Sequence, residues 1–190
     1  MKKFISLVVF FMFLFTTLNS GTTNKIWFLP KTVERPTVMS TNSKIVLDPQ
    51  QHQCLSLNIY FEAAIESTAG KLAVAQVTLN RVRSNRYPDT ICSVVKEGRH
   101  YNSGLPKRDQ CQFSWYCDGK HDNPRETPAW RDSQNIAKYV LSHPNLIDIT
   151  DGATHYHADY IDPPRWARKK EMTLQIDTHI FYNKKNNFNF

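Results

Sequence analysis

Apolar residues along this chain change their spacing several times, and each change marks an element. From about residue 51, Leu55, Ile59 and Ala63 recur on one stripe of a helix that reaches about 66. Glu62 falls on the inward side of that helix, beside Leu55 and Ile59. Gly70 marks a break. A second helix, over roughly 70–84, carries Leu72-Ala73-Val74-Ala75-Gln76-Val77-Thr78-Leu79, with small and apolar side chains around most of its circumference. Such a helix belongs at the centre of a domain. Tyr87-Pro88-Asp89 ends the unit, a short helix covers 90–97, and Gly98 terminates it. Residues 98–126 show no period and read as one long loop, a length that is usually functional inside a domain. Thr127 and Pro128 are suited to the cap and first turn of a helix that reaches Ser142, ahead of Pro144. After Asp151 the pattern changes: Thr154-His155-Tyr156-His157, Leu174-Gln175-Ile176 and Ile180-Phe181-Tyr182 read as short strands. Helices first and a small β element late make an α+β domain, mostly helical.

The first fifty residues follow a different logic. Lys2 and Lys3 precede an apolar run from Phe4 to Leu18, which has the layout of a secretory signal. The run is shorter than the roughly 20 residues a spanning helix needs. Leu18-Asn19-Ser20 is a poor match to a small-x-small cleavage site. Residues 1–20 therefore read as a signal peptide or a short N-terminal anchor, and a membrane would be met only through this segment if it is uncleaved. Residues 21–50 are polar, are interrupted by Pro30, Pro36 and Pro49, and read as a linker. Residues 51–190 form the remaining domain, compact to about Tyr182.

Composition fits a globular chain, with 41% hydrophobic residues, enough for a core. A net charge of +7 points to an anionic partner or surface. No Lys/Arg run is interleaved with stacking aromatics, so nucleic acid is not an expected partner. The four cysteines agree with export. Four allow three pairings; we pair Cys111 with Cys117 across a short loop, and Cys54 with Cys92. A zinc site is disfavoured because the paired C-x-x-C spacing is absent.

A carboxylate on an apolar helix face is expensive to ionise, so Glu62 should hold its proton unusually tightly and can act as a general acid. Cleavage of a glycosidic bond needs such an acid for the leaving oxygen. Glu66, at i+4, would lie about 5–6 Å away on a continuous helix. An ordinary glycosidase also needs a second carboxylate across the sugar. Asp109, Asp118 and Asp159 qualify for that role only by lying in loops. A lytic transglycosylase dispenses with it: the muramic acid 6-hydroxyl attacks the anomeric carbon, and one glutamate serves as acid and then base. In His155-Tyr156-His157-Ala158-Asp159, alternate side chains on a strand share a face. That segment either lines a cleft, with His155, Tyr156 and His157 bonding sugar hydroxyls, or forms a metal cluster of His155, His157 and Asp159. Gln112, Phe113 and Ser114 offer an aromatic face and polar groups in the loop clamped by Cys111 and Cys117. Arg81 and Arg83 end the second helix, where cations meet the helix dipole.

Taken together, these residues resemble the SleB-type cell-wall hydrolases, the spore-cortex-lytic enzymes and their relatives. The matching blocks are Ile59-Tyr60-Phe61-Glu62-Ala63 with Glu66, Gly70 with Ala73–Val77, Leu79-Asn80-Arg81-Val82, and Tyr87-Pro88. Further on come Ile91-Cys92, Cys111-Gln112-Phe113-Ser114, Cys117-Asp118-Gly119, Gly152–Ala158, Trp166-Ala167 and His179–Tyr182, in order over most of 52–182. The resemblance implies a lysozyme-like cell-wall hydrolase domain at 51–190. It implies action on peptidoglycan glycan strands as a lytic transglycosylase or muramidase, with Glu62 as acid/base. No cofactor is implied, and an exported monomer is expected. The family pattern usually reads Glu-Ala-Arg-x-Glu; here Ala64 stands in the place of the Arg. That departure leaves an inactive peptidoglycan-binding module as an alternative.

Overall fold

The computed structural model describes residues 48–184, so the expected signal or anchor at 1–20 and nearly all of the expected linker lie outside the described residues. The first helix, α1 (Pro49–Ala63), starts two residues before the expected domain boundary. Asp48 caps it by accepting from Gln50 N, and Pro49 occupies the first turn. The helix stops at Ala63 rather than near 66. Ser67 takes an extended conformation to cap α2 (Thr68–Arg83), and its hydroxyl accepts from Gly70 N. An extended residue there cannot lie inside a continuous helix, so Ala64–Glu66 become the turn between α1 and α2. Gly70 is not the break expected from the sequence; it lies within the first turn of α2.

Helix α2 is buried over nearly its whole girth between Gly70 and Arg81, so it is the central helix. Around it pack α1, the short α3 (Ile91–Val95) and α4 (Pro128–Ser142), whose cap is Thr127. Leu55, Ile59, Leu79, Val94, Val140 and Leu141 form the main apolar core between these helices.

The expected loop over 98–126 contains a hairpin, β1 (Gly98–His100) with β2 (Pro106–Cys111), then a 3₁₀ turn at Ser114–Cys117. All three residues of β1 and the middle of β2 are exposed, so no apolar alternation announced them. The late β element is an antiparallel sheet in the order β3 (His155–Ala158), β5 (His179–Lys184), β4 (Lys170–Ile176). Its register sets Tyr156 opposite Phe181. Phe181 packs with Ala73, Val77 and Ala153 in a second core between the sheet and α2. The helices-first α+β architecture expected from the sequence is therefore present. The disulfides join Cys54 to Cys92 and Cys111 to Cys117. Among the described residues no helix is long and apolar enough to cross a membrane.

Candidate active site

Glu62 lies in the last turn of α1, half-buried, where the helix faces the sheet. Strand alternation turns Tyr156 toward the helices, and its Oη donates to Glu62 Oε2 at 3.0 Å. Burial holds the Glu62 carboxyl above the usual carboxylate range, although the Tyr156 hydrogen bond and the nearby Arg81 cation both pull it down. Burial and the neighbouring carboxylate push Tyr156 well above the ordinary tyrosine value, so its phenol remains a donor. The arrangement is a carboxylic acid biased toward its protonated form, oriented by a neutral phenol.

Arg81 is the residue whose place sequence reasoning missed. It is only 4% exposed, not spread over the end of α2. Its Nε donates to Thr154 O at 2.8 Å, and its guanidinium lies 4.8 Å from the centre of the Phe113 ring and 5.5 Å from that of Tyr87. Its Nη1 is buried without a hydrogen-bond partner, as is Glu97 Oε2. Burial raises the Glu97 carboxyl, with Arg81 opposing. Tyr87 and Phe113 set their rings beside this cation, and Phe113 lies too far along the chain for local spacing to have signalled it.

The other expected site residues divide. Gln112 and Ser114 are exposed at the end of the hairpin. Phe113 is 2% exposed and lies beneath Arg81, so it supports the guanidinium rather than offering an open face for a sugar. The adjacent Trp115 stacks on Phe61 at 4.8 Å and donates its indole N–H to Asn58 Oδ1 at 3.0 Å, which fixes this loop onto α1. Glu66, 9% exposed, is not one helical turn beyond Glu62. Its carboxylate accepts from Thr178 Oγ1 at 2.6 Å and Thr178 N at 3.3 Å, tying the α1–α2 turn to the β4–β5 turn.

His155, Tyr156 and His157 do not share one face. Tyr156 points to Glu62, and the two histidines flank Trp166 on the other side, with ring centres 5.3 and 5.9 Å from it. His157 Nδ1 donates to Ala158 O at 2.9 Å, which leaves Nε2 to accept from Tyr182 Oη at 3.0 Å. His155 bonds Thr154 Oγ1 at 2.9 Å and approaches Tyr87 Oη at 3.5 Å. Burial, then the Lys170 and Arg81 cations, lower its pKa to about 3, so the ring is neutral at any ordinary pH. Asp159 accepts from Gln175 Nε2. With both nitrogens of each histidine engaged and the carboxylate turned to Gln175, these residues do not form the metal cluster the spacing allowed. Among the described residues no three His, Cys, Asp or Glu side chains gather to hold a metal ion.

Among the described residues, the groups that act on Glu62 are Tyr156 and Arg81, with no second carboxylate among them. Asp118 is held by Lys120, whose backbone N–H keeps its carboxyl below the usual range. Asp109 lies on exposed β2, 3.8 Å from Arg108.

The sequence and the fold have counterparts in known proteins. The Cell Wall Hydrolase family matches residues 65–182, a stretch that begins just after Glu62. A spore cortex-lytic enzyme of Bacillus cereus is 28% identical over 170 residues, covering 87% of this chain and 58% of the relative. One from Halalkalibacterium halodurans is 29% identical over 132 residues, 69% of this chain and 34% of the relative. The chain thus spans less than two thirds of the length of these relatives. The crystal structure of the catalytic domain of the Bacillus cereus SleB protein aligns with a TM-score of 0.52 at 25% identity, over 70% of this chain and 91% of that one. The catalytic domain of the germination-specific lytic transglycosylase SleB from Bacillus anthracis aligns at 0.54 and 26%, over 72% and 96%. With more than half its length matched by the family and its fold matched by these catalytic domains, the chain belongs to the cell wall hydrolases.

Proposed function

We propose that this protein cleaves peptidoglycan glycan strands as a lytic transglycosylase, with Glu62 as its single acid/base. The observation that carries this reading is the Glu62 carboxyl, biased toward its acid form by burial and aimed by Tyr156. Glu62 gives its proton to the bridging oxygen as the glycosidic bond breaks. The resulting carboxylate then takes a proton from the muramic 6-hydroxyl as that oxygen closes on the anomeric carbon. One group thus supplies and recovers one proton, which suits a site where Glu66, Asp118 and Asp159 are committed to other partners. Exposed Gln112 and Ser114 contact the sugar, Phe113 supports Arg81 from beneath, and His155 and His157 brace β3 from its opposite face. Cleavage outside the cytoplasm fits the two disulfides, and the basic surface suits adsorption to an anionic wall.

The test is Glu62→Gln, assayed on purified sacculi with mass spectrometry of the released fragments. Wild type should release fragments ending in anhydro-muramic acid, and the variant should be slower by about 10²–10⁴-fold. The variant should also fold. A carboxyl with a raised folded-state pKa costs no stability below the ordinary carboxyl range. It destabilises progressively as pH rises toward that raised value, because the unfolded chain ionises first. Glutamine lacks that penalty, so the variant should unfold no more easily than wild type at neutral pH. Undiminished release by the folded variant overturns the proposal, reducing ends convert it to hydrolysis, and intact strands with wild type leave a binding module.

A further inference from the structure

On the side of β3 opposite Tyr156, His155 lines a cavity of about 290 Å³. Four cations meet there from different segments: Arg83 at the end of α2, Arg86 just after it, Lys170 at the start of β4 and Lys184 at the end of β5. Among the described residues no carboxylate lines the cavity. Among the described residues none of the four has a carboxylate within 4 Å. Their one side-chain hydrogen bond there is a long contact, Arg83 Nη1 to Asn80 Oδ1 at 3.4 Å. Burial, then the Arg86 and Arg81 cations, hold Lys170 below the ordinary lysine range.

Among the described residues the cations are clustered without counter-charges, yet the walls are firmly built. Asp148 anchors the loop behind the cavity. Its carboxylate accepts from Thr150 N and Oγ1, Asn80 Nδ2 and Gly152 N. Gly152 has φ +72°, and a Cβ there would come within 3.0 Å of Asn183 Nδ2, a group on the cavity wall. Like charges held together by a rigid frame favour an anionic ligand, and guanidinium forks favour carboxylates or phosphates. The cavity suits a group of about dipeptide size, not a folded partner.

We propose that this cavity binds the carboxylates of the acidic peptide stem that branches from the glycan strand, while the sugar chain lies at Glu62; this rests on the reading above. A branch of the same substrate is favoured over a separate polymer because both places are built on β3, the edge strand of its sheet, around which a branched chain can pass. Adjacent residues of β3, His155 and Tyr156, face the cavity and Glu62 respectively. The buried Arg81 cation acts on Glu62, His155 and Lys170 alike.

The test measures binding by calorimetry, without cleavage, using the full-length chain. The probes are γ-glutamyl-lysine with free carboxylates, the same peptide with its carboxylates amidated, and a glycerol phosphate oligomer. The free acid should bind saturably and the amide should not. An Arg86→Gln/Lys170→Gln variant should bind the acid about tenfold or more weakly. Lys184→Gln, a change at an exposed side chain, should weaken it in the same direction with no change in unfolding temperature. Undiminished binding by both variants, tighter binding of the phosphate oligomer, or binding of neither anion overturns the proposal. A protein that cuts glycan strands but ignores the peptide loses the cavity assignment alone. One that binds the peptide but leaves strands intact loses the glycosidase reading alone.

Discussion

Burial and two side chains, Tyr156 and Arg81, set the protonation of Glu62, and they do not all act in one direction. Burial raises its pKa, while Tyr156 and Arg81 lower it without cancelling the rise. In the proposed reaction Glu62 must be protonated, so activity should fall as pH rises through its pKa, on an alkaline limb above the ordinary carboxylate range. Tyr156→Phe keeps the ring that packs on His179 and Phe181 and removes the hydroxyl. Since that hydrogen bond lowers the Glu62 pKa, its loss should move the alkaline limb to higher pH. The turnover rate should fall about tenfold as the carboxyl loses its orienting partner. A pH–rate profile checks both; an unmoved limb, or one shifted downward, would mean that Tyr156 does not govern the acid. The partial burial of Glu62 was legible in the sequence because an apolar stripe at helical spacing predicts burial from local information. Arg81 was not. A basic residue ending a helix satisfies the dipole rule by default, and its real environment is built by Phe113 and Thr154, which lie 32 and 73 positions further along.

At the scale of elements, the turn between α1 and α2 is where sequence reasoning and structure part. Four-residue spacing invited one helix through Glu62 and Glu66, but Ser67 caps a new helix, and Asp177 completes the junction. Asp177 Oδ2 accepts from Ser67 N at 2.9 Å and from Ser67 Oγ at 2.6 Å. The contact depends on tertiary structure, so no local pattern could reveal it. The β1–β2 hairpin was hidden for a related reason: strands exposed to water carry no apolar period. Helices α2 and α4 and strand β5 were legible because their burial is written into their composition and caps, whereas β4, with no fully buried residue, showed only its Leu174-Gln175-Ile176 end. Gly70 tests the junction. Propensity alone makes alanine better than glycine inside a helix by about 1 kcal/mol. Here a Cβ would collide with the Asp177 carboxylate and come within 2.9 Å of Glu66 Cβ, and overpacking of that kind costs about 1–3 kcal/mol. Gly70→Ala should therefore destabilise the protein in urea unfolding. A stabilised variant would mean that the junction is loose enough to give way.

For the molecule as a whole, the site depends on two cores meeting along α2, one shared with the other helices and one with the sheet. Glu62 comes from the first layer and Tyr156 from the second, so anything that loosens their packing separates acid from donor. The disulfides contribute unequally to that packing. Cys54–Cys92 spans 38 positions and ties α1 to α3 inside the helical core, whereas Cys111–Cys117 spans 6 and closes a local loop. Chain entropy therefore assigns the first about 4 kcal/mol and the second about 2. Paired Cys→Ser replacements, followed by urea unfolding, should reproduce that order. Neither sulfur pair touches the proposed chemistry, so the fraction of Cys111→Ser/Cys117→Ser protein that remains folded should keep its acid limb and its products. Only its survival at rising temperature should fall. If that variant instead stays fully folded but loses turnover, the loop bearing Gln112 and Ser114 positions the substrate directly, and the disulfide belongs to the site rather than to the scaffold.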